Sequence, residues 1–217
     1  MYCQKKSIKY IGFYNITVIH MRLILASTSA YRRALLARLR VPFETADPAV
    51  DETPLAGEAP AALAMRLAQA KARTVASRYP DAIIIGSDQV ASLGATLLDK
   101  PGTLERAHSQ LSASSGERVE FHTGLCVIAP QQPDYQVCSR VSVVFRVLSA
   151  AEIESYLLLE PALDCAGSFK CEGLGISLFE SIESDDPTSL EGLPLIALAR
   201  VLRELGIHPS LQGDQLQ

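Results

Sequence analysis

The five cysteines include no Cys-x-x-Cys pair, and the four histidines make no His-Glu-x-x-His or other paired-ligand spacing. The first absence argues against a disulfide framework or a zinc ribbon and points to a reducing, cytoplasmic compartment. The second argues against a zinc or haem site, so a metal, if used, should be hard and held by oxygen. Excess positive charge is also missing: 20 Lys and Arg stand against 24 Asp and Glu, for a net charge of −4. Such a chain does not hold polymeric nucleic acid or an anionic membrane by bulk attraction, and an anionic ligand must be met by locally clustered cations. No apolar run is long enough to cross a bilayer. The segment after Lys5, Lys6 and Lys9, Ile11 to Ile19, superficially resembles a signal peptide, but it is short and polar and no small-residue cleavage site follows. A dinucleotide fingerprint is absent too, because Gly173-Leu174-Gly175 has neither the third glycine nor the strand-turn-helix order.

What remains is a chain of 217 residues with 48% hydrophobic side chains, enough for one large α/β domain or two small lobes. Residues 1–20 read as a peripheral extension, with Met21 a second candidate start, residues 21–206 as the folded domain, and residues 207–217 as a tail. The stretch that organises the domain is Ile83-Ile84-Ile85-Gly86-Ser87-Asp88-Gln89-Val90. Three β-branched residues in a row suit a strand buried on both faces. Gly86 allows close approach of another backbone, and Asp88 arrives at the strand end where α/β sheets bind ligands. Around it the pattern predicts strands at Arg22–Ala26, Val41–Ala46, Arg118–Ile128, Gln136–Leu148 and Ile176–Phe179, the third and fourth pairing as a hairpin, and another hairpin following Val90. Helices are expected after Ser29, over Ala61–Arg78, from Thr103 to Leu111, after the capping box Ser149-Ala150-Ala151-Glu152, and over Leu195–Leu205.

Several local signals are weak one by one. Ser27-Thr28-Ser29 before Arg32 and Arg33 is either an ordinary capped helix or a phosphate cradle at the positive end of a helix dipole. The loop with Asp47, Asp51, Glu52 and Glu58 reads by default as solvated, and Lys71 as a surface lysine. Together, clustered hydroxyls, arginines, Lys71, Lys100 and the carboxylates Asp51, Glu52 and Asp88 are the parts needed to hold a polyphosphate and a divalent cation. Mg²⁺ takes a few carboxylates plus substrate phosphate oxygens. No Ser-His or Cys-His nucleophile pair appears in these motifs, so attack of water on phosphorus is the simplest chemistry, with Asp88 either taking the proton or holding the metal.

These motifs, in this order, resemble the Maf-like nucleotide pyrophosphatases, also known as septum-formation inhibitors. The resemblance rests on Leu25 to Arg33, Val50-Asp51-Glu52, Lys71, Gly86-Ser87-Asp88, Lys100-Pro101, Phe145-Arg146, Ala166-Gly167-Ser168 and Gly192-Leu193-Pro194. It implies a two-lobed Maf/inosine-triphosphatase-like α/β fold with a long mixed sheet, helices on both faces and a deep central cleft. It further implies dependence on Mg²⁺ or Mn²⁺ and release of a nucleoside monophosphate and pyrophosphate; a homodimer is a candidate assembly, and the sequence leaves the oligomeric state open. Carried over, Asp88 is the proton acceptor; Ser27, Arg32, Arg33, Lys71 and Lys100 contact phosphates; Glu52 and Asp88 meet the metal. Tyr31, Gln89 and Glu172 are similar to the branch acting on 7-methyl-GTP and would set base specificity. Ala30 stands where the family usually has proline. Alternative functions are a pyrophosphatase for dTTP or UTP, and a nucleotide-binding regulator of cell division with little catalysis.

Overall fold

The computed structural model describes residues 21–211, so the expectations for residues 1–20 and for the end of the tail lie outside the described residues. Seven strands form one mixed sheet: β1 (Leu23–Ala26), β2 (Glu44–Ala46), β3 (Ile83–Leu93), β4 (Thr96–Leu98), β5 (Arg118–Ile128), β6 (Tyr135–Phe145) and β7 (Phe179–Ser184). Their order is β2-β1-β3-β5-β6-β7, with β4 paired to β3 off this path. β1 runs parallel to β2 and β3, whereas the β3–β5, β5–β6 and β6–β7 pairings are antiparallel. Five α-helices complete the fold: α1 (Ala30–Ala37), α2 (Pro60–Ala76), α3 (Leu104–Ser114), α4 (Ala150–Leu159) and α5 (Leu195–Glu204).

The parallel half is covered on both faces, as parallel sheets require. Leu23, Leu25, Ile83, Ile85 and Leu125 pack with Leu35 and Leu36 of α1 and Leu198 and Leu202 of α5. On the other face Ile24, Ala26, Ile84 and Cys126 pack against Ala68, Ala72 and Val75 of α2. Ile83, Ile84 and Ile85 are fully buried, as their run predicts. The antiparallel half carries a second core with α3 and α4, in which Phe121, Phe145, Phe169 and Phe179 meet edge to face. Long strands β3 and β5 run through both halves and make the two lobes one sheet.

The edge of β3 explains where the cleft lies. β1 pairs with Ile83–Ile85 and β4 with Ala91–Leu93, so on that edge residues 86–90 have no strand beside them. This gap opens between the lobes, and Asp88 stands in it. Two expectations fail: β3 runs on to Leu93, so Asp88 stands within the strand and not at its end, and Leu174–Leu178 is a 3₁₀ helix, the last strand beginning only at Phe179. Gly173 N–H donates to the Lys170 carbonyl and Ile176 N–H to the Gly173 carbonyl, i to i−3 bonds that an extended Ile176 would not make. Among the described residues no helix is long and apolar enough to cross a membrane.

Candidate active site

The site is built on small residues. A Cβ at Gly86 would lie 2.3 Å from the Ala68 carbonyl oxygen and 2.7 Å from the Ala72 nitrogen, and one at Gly124 2.5 Å from the Ala64 carbonyl oxygen. Helix α2 therefore lies directly on the backbone of β3 and β5, through its own stripe Ala64, Ala68 and Ala72, spaced one turn apart. One residue earlier in each turn, Leu63, Leu67 and Lys71 form a second stripe that lines the cleft. On β3, Asp88 is two residues beyond Gly86 and so on the same face, toward α2. The close seating brings Lys71 Nζ within 2.5 Å of Asp88 Oδ1. Lys71 is 5% exposed and Asp88 7%. The expectation of a surface lysine is corrected: helical position alone does not reveal that a glycine pair pulls this turn onto the sheet.

The same ammonium is 2.5 Å from Glu52 Oε1. Half-burial would push the Glu52 carboxyl up, but the Lys71 hydrogen bond and the charges of Lys71, Lys100 and Arg32 outweigh it and hold it below the usual range. Its loop is strapped to α2: Arg66 donates to both Glu58 oxygens, at 2.7 and 2.8 Å, and to the Thr53 carbonyl at 3.1 Å. Glu58 also accepts from Leu55 N–H, and Arg66 first and that bond second lower its pKa to about 2. The acidic loop is solvated as expected, residues 51–57 all being exposed, and is also fastened to α2.

Ser29 caps α1 as expected, accepting from Arg32 N–H, while Ser27, 5% exposed, accepts from Ser29 N–H. Arg32 lies 3.8 Å from Asp88 Oδ1. Its Nε donates to the Gly192 carbonyl at 2.9 Å, which also accepts from Ser87 Oγ at 3.1 Å. Gly192 adopts φ of 109°, a conformation open to glycine, and this is the physical role of the Gly192-Leu193-Pro194 motif, to which sequence reasoning gave none. Arg33 is different. One helical step of about 100° from Arg32, it is exposed and outside the cleft lining, so the structure does not bring it together with the other candidates.

The cleft has a volume of about 1170 Å³ and is lined by nine of the ten residues carried over from the family resemblance, Ser27, Tyr31, Arg32, Glu52, Lys71, Asp88, Gln89, Lys100 and Glu172, while Asp51 lies outside the lining. Tyr31 donates its hydroxyl to Asp164, and Lys170 Nζ stands 5.7 Å from the centre of its ring. Burial, then Cys165 and Asp164, raise its pKa, keeping the phenol neutral. Gln89 has its amide engaged, donating to the Ser189 and Leu190 carbonyls at 2.7 and 3.0 Å, so only its oxygen remains for a ligand. Burial pushes the two thiols nearby, Cys165 and Cys171, up to about 11 and about 12, which makes them poor nucleophiles.

Among the described residues no group of three or more His, Cys, Asp or Glu is placed to hold a metal ion. Two carboxylates do converge, since Glu52 Oε1 and Asp88 Oδ1 are each 2.5 Å from the same nitrogen. An oxygen-only pair completed by phosphate oxygens and water suits Mg²⁺ or Mn²⁺.

The profile of the family described as Maf-like protein matches residues 22–205. The chain is 61% identical over 187 residues to a 7-methyl-GTP pyrophosphatase of Xanthomonas oryzae pv. oryzae, covering 86% of this chain and 98% of that protein. It is 60% identical over 187 residues to a protein of the same name from Xanthomonas axonopodis pv. citri, at 86% and 98% coverage. To the 7-methyl-GTP pyrophosphatase of Bordetella avium it is 55% identical over 188 residues, at 87% and 95% coverage. A crystal structure of a nucleoside-triphosphatase, a dITP/XTP pyrophosphatase from Mycobacterium abscessus, is matched with a TM-score of 0.41 and 16% identity over 86% of this chain and 97% of that one.

Proposed function

The chain belongs to the Maf-like family, and from that membership and its site we propose that it hydrolyses 7-methyl-GTP to 7-methyl-GMP and pyrophosphate. The observation that carries the reading is the shared ammonium of Lys71, held between Asp88 and Glu52 in a cleft that also contains Arg32 and Lys100. A pure binding protein has no use for a carboxylate among the cations that receive a polyanion; a hydrolase needs one to take a proton.

Water attacks the α-phosphorus in this reading, forming the new P–O bond as the bridging oxygen departs with pyrophosphate. Lys71 and Arg32 both approach Asp88 through Oδ1, and no protein donor among the described residues reaches Oδ2. Oδ2 is the atom that takes the proton of the attacking water. Arg32, Lys71, Lys100 and Ser27 neutralise and orient the phosphates, and the low net solvent access of the first two strengthens that effect. Glu52 and Asp88 would hold the divalent cation, which supplies charge neutralisation on the phosphate oxygens.

At the base end, methylation of N7 gives guanine a formal positive charge, and a cation over an aromatic face gains ~0.5 to 2 kcal/mol. The Tyr31 ring already has a cation, Lys170, near its face. Glu172, exposed in the cleft lining, can accept from the paired N1 and N2 donors of guanine. Pyrophosphate release from 7-methyl-GTP, GTP, dTTP and UTP with Mg²⁺ or Mn²⁺ tests the assignment. The expected preference for 7-methyl-GTP over GTP falls by a few-fold to tens-fold in Tyr31→Ala, while Glu172→Gln weakens both guanine nucleotides. A wild-type preference for pyrimidines would overturn the reading.

A further inference from the structure

The loop that carries Glu172 is fixed from beneath by two residues that do not line the cleft. Tyr156 and Glu160 lie one turn apart at the end of α4, so their side chains share a face. Lys170 N–H, at the start of the loop, donates to the Tyr156 hydroxyl at 3.1 Å, and Gly175 N–H, at its end, donates to Glu160 Oε2 at 3.1 Å. The two holders are joined, because the Tyr156 hydroxyl donates to the same Glu160 oxygen at 3.3 Å. Between these points the loop rests on the carboxylate: a Cβ at Gly173 would fall 2.1 Å from Glu160 Oε1. The loop also closes on itself, since a Cβ at Gly175 would fall 2.5 Å from the Lys170 carbonyl oxygen. Tyr156 is 3% exposed and has its phenol pKa raised chiefly by burial, so it serves as a neutral donor and acceptor at once.

We propose that Tyr156 and Glu160 are positioning residues for base selection, a clasp that sets where the Glu172 carboxylate stands in the cleft. The proposal rests on the reading that Glu172 meets the base. Every backbone donor in the clasp flanks the two cleft-lining residues of this loop, Cys171 and Glu172, whereas Asp88, Lys71 and Arg32 stand on other elements. The clasp therefore acts on recognition of the base and leaves the phosphorus chemistry alone.

Tyr156→Phe removes the hydroxyl and keeps the ring in its core. Loss of a typical hydrogen bond weakens an interaction about fivefold, so the expected result is a KM for 7-methyl-GTP raised about five- to tenfold with kcat within about twofold of wild type. The preference for 7-methyl-GTP over UTP falls by the same factor. In a Glu172→Gln background the same substitution should have no further effect on that preference, because coupled residues are not additive. Glu160→Gln, which retains an oxygen for Gly175 N–H, should recover most of the preference lost in Glu160→Ala. Additive losses of Tyr156→Phe and Glu172→Gln, or a fall in kcat with KM unchanged, would overturn the clasp. If Glu172→Gln alone leaves substrate preference untouched, the reading of the base site fails, and the clasp fails with it.

Discussion

Replacing Lys71 by Met should damage both stability and turnover, and the two losses have one cause. The side chain is 5% exposed and its ammonium is shared by Asp88 and Glu52 at 2.5 Å each. Breaking a buried ion pair by removing one partner costs ~3–5 kcal/mol, since the other charge is left uncompensated. Here the cost is smaller. The Glu52 side chain is 57% exposed and can turn to water, so its pairing contributes little. Asp88 keeps Arg32 at 3.8 Å and faces the cleft. Met fills the space of the lysine stem, which avoids a cavity. Discounting the upper range for these three effects leaves ~1–3 kcal/mol, and at ~2–4 °C per kcal/mol for a domain of this size Tm should fall by ~2–12 °C. Thermal unfolding of Lys71→Met, Asp88→Asn and the double variant separates the effects. With Asp88 neutralised the penalty for losing Lys71 should largely vanish, so the double variant is more stable than Lys71→Met. A Lys71→Met protein with wild-type Tm, or a double variant showing the sum of both losses, would refute an uncompensated Asp88 charge as the cause.

Asp88→Asn should keep the fold and lower kcat by ~10²- to 10⁴-fold, the usual worth of general-base assistance, as measured by pyrophosphate release. Gly86→Ala places a methyl group 2.3 Å from the Ala68 carbonyl oxygen. Overpacking of this kind costs ~1–3 kcal/mol, and because α2 must lift, taking Lys71 from Asp88, kcat should fall along with Tm; unchanged kinetics would show that the helix seating is not what sets the pair. The Glu58–Arg66 strap should titrate in acid. Its folded pKa of about 2 lies below the ordinary 4.5, so the stabilisation it gives is complete above about pH 4.5 and is lost as pH falls toward 2. Glu58→Gln should flatten stability over that interval and raise the 7-methyl-GTP KM at neutral pH by loosening the loop that carries Glu52, both readable from acid unfolding and steady-state kinetics.

By itself the sequence determined the alternation of strands and helices, because that depends on local periodicity and capping. The Ile83–Ile85 run, the Ser149–Glu152 capping box and the hairpin of β5 and β6 are all where their residues place them. The ordered motifs marked the cleft residues, though their side-chain partners were out of reach. Only the tertiary structure decided which of two adjacent arginines faces Asp88, since that depends on the phase of α1 against the sheet. It also decided that Lys71 is buried, through the contact of Gly86 and Gly124 with a helix that begins more than twenty residues earlier in the chain. The Leu174–Leu178 turn was missed for a similar reason: apolar residues near glycines look like a short strand until Glu160 and Lys170 occupy the space on either side. The Gly192 carbonyl, which holds Arg32 and Ser87 at once, left no mark in local pattern because its partners come from 160 and 105 residues away, and only folding brings them together.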